Sequence, residues 1–294
     1  MPAASPSDRP RVGVDTVSYG SGEALEPFLA SLREHHDDSV AVVVVDNKPE
    51  GDDGVSRIAE RHDALYVALP TNPGYGAGMN AGVRALTASL SPAEAAFDAY
   101  FFCNPDVVFT APSIAELAIS LFEDARVGSI GPRTLNEDGS TYPSARNIPS
   151  VGTGVGHALF GRVWPSNPWS RAYKNASDCD ERRVAGWLSG AAVMVKGSVN
   201  DEIGGWDEGY FLHFEDIDLG YRIGLAGYAN VFEPAVTVVH SGGHSLKKHS
   251  AMAERAMTAS AIRFMKKRYS GVLRAPLRWA IVAGLRVRGA LKTR

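Results

Sequence analysis

Cysteine is scarce in this chain: two residues in 294, Cys103 and Cys179, far apart and in unlike surroundings. That excludes a disulfide framework and a cysteine-built metal centre. Cys103, in the apolar run AYFFC, reads as a small buried residue of a reducing compartment. A basic excess is missing too. The 30 Lys and Arg against 33 Asp and Glu give a formal charge of −3, which argues against a general nucleic-acid binder. No apolar run reaches the roughly 18 residues needed to cross a bilayer. The opening MPAASPSDRP lacks the apolar centre of a signal peptide, so residues 1–11 are expected to be a disordered lead-in. What remains is an ordinary soluble make-up, 45% hydrophobic and 21% charged. It suffices for one large domain, expected over residues 12–261.

Along that domain, apolar runs alternate with helical periodicity. VGVDTVS reads as a first strand, ALEPFLASLREH as a helix, AVVVVDN as a buried strand ending in an acid, GVSRIAERH as a short helix and ALYVAL as a third strand. TNPGYGAGMNAG reads as a glycine-rich loop entering the helix GVRALTASL, and AYFFCNPDVVF as a strand interrupted by NPD. Residues 111–127 look helical, and GSIGPRTLNEDGSTYPSARNIPS looks loop-rich with short strands. This order predicts an α/β fold with a mostly parallel, Rossmann-like sheet between helices. Ligands then belong at the carboxyl ends of the strands, where Asp46, the glycine loop and Asp106 fall.

Three stretches invite chemistry. FLHFEDIDLGYRIGLAG, residues 211–227, crowds Glu215, Asp216 and Asp218 between apolar neighbours, where like charges repel and resist burial. A helix start explains part of this, because acids favour the positive end of the dipole and Asp218 can pair with Arg222. The aromatic approach GGWDEGYFLHF is not explained by a surface helix. In the glycine stretch, Asn72, Gly74, Gly76, Gly78, Asn80 and Gly82 alternate, a pattern that lets backbone N–H groups approach phosphate. It follows the third strand rather than the first, which argues against a nicotinamide-dependent oxidoreductase. Asp106, in NPD, suits Mg²⁺ or Mn²⁺ on a diphosphate, or caps an Asn-Pro turn. His240 ends the strand VTVVH as a metal ligand or a satisfied core residue, and spacing does not decide between them.

From about residue 262 the composition shifts. Lys266, Lys267, Arg268, Arg274, Arg278, Arg286, Arg288, Lys292 and Arg294 occur without an acid, beside Trp279, Ile281, Val282 and Leu285. A basic amphipathic tail over 262–294 is expected to lie on an anionic membrane surface; the alternative is a helix packed on the domain.

The ordered set VSY, VVDN, NPGYGAGMN, NPD, WLSGA, GGWDEGYFLHFEDIDLGYR and VVH resembles family 2 inverting glycosyltransferases of the GT-A fold, over about residues 12 to 245. GSTYPSARNIPS, HALFGRVWPSNPW, AYKN and RAPLRW are similar to the actinobacterial rhamnosyltransferases of the cell-wall linkage unit. The resemblance implies an enzyme moving L-rhamnose from dTDP-L-rhamnose to N-acetylglucosaminyl-diphospho-polyprenol in arabinogalactan synthesis, with Mg²⁺ or Mn²⁺. It implies a peripheral position on the cytoplasmic face of the plasma membrane and leaves a homodimer open. The nearest alternative is another dTDP- or UDP-sugar; a catalytically silent glycan-binding module is disfavoured because a base candidate and a metal candidate are both retained.

The resemblance also implies roles. Asp46 would contact the base, and Thr16 and Ser18 would line the base and ribose pocket. Asn72, Gly74, Gly76 and Asn80 would hold the diphosphate and sugar side. Asp106 and His240 would bind the metal, with Asn104 in the place of a family acid. Trp187, Ser189 and Gly190 would shape the donor-sugar and acceptor pocket. Asp216 would be the general base, needing position more than a shifted pKa, and Glu215 would orient it or the acceptor. Trp206 stands where Phe is usual, which implies packing.

Overall fold

The computed structural model describes residues 10–36, 40–48, 54–91, 96–150, 180–241 and 250–292. Trp164, Trp169, Cys179, His244 and Ser245 lie outside them, as do HALFGRVWPSNPW and AYKN. Strands β1 (Val12–Ser18), β2 (Ala41–Asp46), β3 (Leu65–Ala68) and β4 (Ala99–Cys103) lie side by side in the order β3-β2-β1-β4, all parallel. VGVDTVS and AYFFC are buried at every position, because helices cover both faces of a parallel sheet and alternation is lost.

Helices α1 (Gly22–His35), α2 (Val55–Arg61) and α3 (Tyr75–Ser89) make the crossovers. Leu25, Phe28, Leu29 and Leu32 of α1 are fully buried, each worth about 1.5–3 kcal/mol of apolar burial. The expected glycine loop is mostly helix, since α3 begins at Tyr75. Its glycines serve close packing: a Cβ at Gly78 would stand 2.7 Å from Val17, and one at Gly82 would stand 2.1 Å from the Asp15 carboxylate on β1. Only Gly74 needs glycine for its backbone, at φ +102° and against the Phe211 backbone.

Beyond β4 the sheet becomes mixed. The NPD turn separates β4 from β5 (Val107–Val108), and α4 (Ser113–Phe122) is shorter than expected. The region expected to be loop-rich begins with a nine-residue strand, β6 (Val127–Leu135), whose glycines and proline hid it. Short strands follow: β7 (Thr141–Tyr142), β8 (Ala145–Arg146), β9 (Arg183–Ala185) and β10 (Trp187–Leu188). Then come β11 (Ala192–Lys196), α5 (Gly197–Ile203), α6 (Glu215–Leu225) and β12 (Ala229–His240). The path continues β4-β11-β6-β12-β5, with β11 antiparallel to both neighbours and β12 parallel to β6. β8 and β10 form a separate two-stranded ribbon.

The C-terminal part differs from expectation. Helix α7 (Ser250–Arg268) runs through the tail boundary expected at 262. Its Ala261 and Phe264 are buried, so it is built into the body. Helix α8 (Ala275–Lys292) packs on α7, with Val282 buried and Gly289 against Thr258. Among the described residues no helix is long and apolar enough to cross a membrane.

Candidate active site

The site is assembled at the carboxyl ends of β1, β2, β4 and β12. Ser18 and Asp46 end adjacent strands, and the Asn47 N–H donates to the Ser18 carbonyl at 2.9 Å. Both Asp46 oxygens are occupied: Oδ1 accepts the Lys48 N–H at 2.9 Å and Oδ2 the Tyr66 hydroxyl at 3.1 Å. A carboxylate retains further lone pairs, so these bonds fix its orientation without exhausting it. Thr16 is buried with its hydroxyl unpartnered. Asn47, unforeseen in the sequence, ties this corner to the next loop by donating to Asn72 Oδ1 at 3.3 Å and to the Gly74 carbonyl at 3.0 Å. Asn72 Oδ1 also accepts the Gly74 N–H at 3.1 Å.

Gly76 and Asn80, expected beside a diphosphate, lie inside α3. A Cβ at Gly76 would stand 3.1 Å from Trp206. The Asn80 amide is engaged by the Trp206 loop: it donates to the Trp206 carbonyl and to Glu208, and accepts the Trp206 N–H, each at 2.9 Å. Its side chain therefore fastens the aromatic approach to the carboxylates.

The second corner is the NPD turn. Antiparallel pairing sets His240 opposite Val107, and the Ser241 N–H donates to the Asp106 carbonyl at 3.1 Å. His240 Nε2 lies 3.1 Å from Asp106 Oδ1 and 3.1 Å from Asn104 Nδ2. Asp106 Oδ1 is buried without a hydrogen-bond partner. If Nε2 accepts from Asn104, it has no proton for Asp106, and two lone pairs face each other. A cation between them resolves the conflict, and ligands about 2.1 Å from an octahedral ion stand about 3 Å apart. Turned over, the Asn104 amide would add an oxygen, giving an oxygen-rich set with one imidazole that suits Mg²⁺ or Mn²⁺. Among the described residues no group of three carboxylate, imidazole or thiol side chains gathers there, and that amide is the further donor they offer beside the pair.

The third corner carries the carboxylates. His213 and Phe214 both adopt left-handed backbone, at φ 65° and 69°. Two such non-glycine residues in succession are strained, at a cost of about 1–3 kcal/mol each. They turn the chain sharply into α6 and leave Glu215 and Asp216 in its first turn. Asp216 accepts from the Ile217 N–H at 2.8 Å and from the Gly190 N–H at 3.3 Å. Gly190 is in turn held from the glycine stretch, since the Tyr75 hydroxyl donates to its carbonyl at 2.7 Å. The Tyr75 ring meets Trp206 edge-on at 5.6 Å, and Trp206 meets Phe102 edge-on at 5.2 Å. A Cβ at Gly190 would lie 3.3 Å from both Tyr75 and Trp206 and 3.6 Å from Asp216. Trp206 is packing, as expected; Tyr75 is a link that sequence spacing did not reveal.

Burial pushes both carboxyls up, and the charge of Asp216 raises Glu215 further. Backbone N–H donors from Gly190 and Ile217 restrain the rise at Asp216. The two backbone N–H donors favour the charged form at Asp216, while burial and that neighbouring charge drive Glu215, its Oε2 unpartnered, toward the protonated form. The sequence implied an ordinary pKa for the base; burial in the aromatic collar shifts it.

Asp218 belongs to the frame, fully buried and accepting from Tyr210 at 3.2 Å, Arg222 at 2.6 Å and Lys267 at 2.6 Å. Trp187 buries its ring with Tyr210, Ile217 and Phe264 and donates to the Asn147 carbonyl at 3.1 Å. The Ser189 N–H donates to the Ser144 carbonyl at 2.7 Å. These bonds bring in Arg146, which sequence reasoning passed over. Its guanidinium stands 5.8 Å from the Trp187 ring centre and lowers the Asp216 pKa by its charge. Four residues earlier, Tyr142 meets the His240 ring edge-on at 5.9 Å. Residues 142–146 thus span from the Asp106–His240 pair to Asp216.

Comparison with known proteins agrees with this layout. The Glycosyl transferase family 2 pattern matches residues 15–177. The N-acetylglucosaminyl-diphospho-decaprenol L-rhamnosyltransferase of Mycobacterium tuberculosis is 38% identical over 285 residues, 96% of this chain and 92% of its own. Rhamnosyltransferase WbbL of Escherichia coli is 23% identical over 254 residues, 86% of this chain and 91% of its own. Mannosyltransferase PcManGT of Pyrobaculum calidifontis, solved with GDP-Man and Mn²⁺, superposes at a TM-score of 0.56 and 18% identity, over 99% of this chain and 89% of its own. The sheet order, the strand-end site and these matches together place the chain in glycosyltransferase family 2, with the GT-A fold.

Proposed function

We propose that the protein transfers L-rhamnose from dTDP-L-rhamnose to an N-acetylglucosaminyl-diphospho-polyprenol, with inversion, at a membrane surface. The observation that carries this reading is the 38% identity with the mycobacterial rhamnosyltransferase across 96% of the chain. The strand-end corner of Thr16, Ser18 and Asp46 would take the nucleoside, and the loop at Asn72 and Gly74 would face the diphosphate. Asp106 and His240, with Asn104 beside them, would hold Mg²⁺ or Mn²⁺. When bound, that ion neutralises charge on the departing diphosphate.

In this mechanism the acceptor hydroxyl oxygen attacks the anomeric carbon from the side opposite the diphosphate. As the new C–O bond forms, the hydroxyl proton passes to Asp216 and the bond to dTDP breaks. Such base assistance is typically worth about 10²–10⁴-fold. The Gly190 and Ile217 N–H groups hold Asp216 in one orientation, which limits the motion lost before reaction. Protonated Glu215 removes a second negative charge from beside the incoming oxygen.

Asp216→Asn is expected to fold, to keep its dTDP affinity, and to lose rhamnosyl transfer by at least about 100-fold. In the unaltered enzyme, activity should fall as pH drops through about 6, where the raised Asp216 carboxyl takes up its proton. Mass detection of product with purified donor and lipid acceptor measures both. Near-normal turnover by the variant would remove Asp216 from its role, and a panel of dTDP- and UDP-sugars tests the donor.

A further inference from the structure

We infer that the open cleft between residues 209–211 and helix α7 seats the isoprenoid chain of the acceptor; this rests on the lipid-diphosphate acceptor proposed above. The cleft has a volume of about 390 Å³ and is lined by Gly209, Phe211, Met252, Arg255, Ala256, Ala259 and Ser260. That volume lies within the range of about 300–1,000 Å³ common for small-ligand sites.

Its walls suit a slender apolar chain. Met252, Ala256 and Ala259 recur at helical spacing on one side of α7, while the buried Ala261 and Phe264 face the body. The alanines make a shallow floor between two larger apolar groups, Phe211 at 39% exposure and Met252 at 58%. Both side chains face solvent, which is unfavourable for a surface with nothing to cover it. Arg255, exposed on the same stripe, pairs with no described carboxylate and suits the diphosphate that joins chain to sugar.

The cleft wall is also bonded to the segment that supports Asp216. The Phe211 carbonyl accepts the Tyr75 N–H at 3.1 Å, and the same tyrosine's hydroxyl holds Gly190 against Asp216. Ser260 donates to the Leu212 carbonyl at 2.9 Å, fixing the near wall to α7. One backbone segment therefore separates the apolar cleft from the glycine stretch, and α6 begins four residues after Phe211. A lipid whose sugar reaches Asp216 has this cleft as its adjoining apolar surface, on the helix that also carries α8.

The test uses the full chain and two acceptors, N-acetylglucosaminyl-diphospho-decaprenol and an analogue with a single isoprenyl unit. Met252→Glu should raise KM for the long acceptor at least about 10-fold and change KM for the short one by less than about 2-fold, since only the long chain must cover the introduced charge. Hydrolysis of dTDP-rhamnose should be unchanged, and Met252→Leu should match the unaltered protein throughout. A diphospho-lipid carrying a diazirine on an isoprene unit beyond the first should label residues 211 and 252–259. Equal KM changes for both acceptors, or adducts confined to α8, would overturn the assignment. Cleft labelling by a protein that transfers rhamnose to neither acceptor would support the cleft and remove the proposed function instead.

Discussion

At the scale of single residues, the site depends on hydrogen bonds that reach across the fold. Tyr75 belongs to the glycine stretch, yet its hydroxyl fixes the peptide whose N–H supports Asp216. Tyr75→Phe keeps the ring on Trp206 and the backbone bond to Phe211 and removes only this hold. A neutral hydrogen bond is worth about 0.5–1.5 kcal/mol, so kcat should fall about 3–10-fold. Its acid limb should move as well, because the Gly190 N–H that restrains the Asp216 pKa is released to move. Unchanged dTDP affinity, measured by calorimetry, would separate this effect from damage to the corner of Thr16, Ser18 and Asp46 proposed to take the nucleoside. An unshifted pH profile would count against the positioning role.

At the scale of elements, α3 approaches β1 so closely that glycine is required. The Asp15 carboxylate is completely buried under Gly82, with no well-aligned hydrogen bond and only a weak approach from the Val83 backbone N–H. Burial drives its pKa well above the usual carboxylate range. The folded state therefore keeps a proton that the unfolded chain releases near the ordinary value of about 4. Stability is unaffected below that pH and declines as pH rises above it. Asp15→Asn, similar in shape and always neutral, should raise Tm at pH 8 and leave it nearly unchanged at pH 4, by thermal unfolding. Gly82→Ala places a methyl group on the carboxylate and should cost about 1–3 kcal/mol in a denaturant titration.

The same scale shows what was legible in the sequence. β1, β2 and β4 announced themselves because both-face burial requires unbroken apolar runs, and Asp46, Asp106 and His240 stood out as polar ends of such runs. β6 was hidden: its Gly128, Gly131 and Pro132 are loop signals, but Gly128 is small because Tyr228 and Ile223 press on it. The acidic triplet stood out in the sequence, and the Asp218–Arg222 pair within it was foreseen from helical spacing, whereas the distant partners of Asp218 were not. Asp218 differs from Asp216 only through Tyr210, Arg222 and Lys267, and Lys267 is 49 positions away, beyond any local pattern. Tyr75, Asn47 and Arg146 were missed for the same reason, since their roles exist only once distant strands meet.

At the scale of the whole molecule, the basic C-terminal part divides in two. Two cations of α7 are structural: Arg263 and Lys267 pair with Asp207 at 2.7 and 3.0 Å. On α8, Val282 faces inward and Arg278 caps the end of α7 through the Tyr269 carbonyl at 2.9 Å. The membrane-facing candidates are instead Trp279, at 70% exposure, with Leu273, Val287 and the exposed Arg274, Arg286 and Arg288. Changing these three arginines to Glu should abolish sedimentation with anionic vesicles and leave transfer to a soluble acceptor within about 2-fold, each lost cation contributing about 1 kcal/mol at such a surface. Equal losses in both assays would place the arginines elsewhere than at a lipid interface.

The lysine that bridges Asp207 and Asp218 also sets where the gene can be shortened. A stop codon near position 262, where composition alone suggests an appendage begins, would leave Asp207 without Arg263 and Lys267, take one cation from Asp218 on α6, and remove Phe264 from the core. Crystallisation or expression versions should terminate after Tyr269, in the short connector ahead of α8, so that the cationic counterweight to those acids travels with the enzyme.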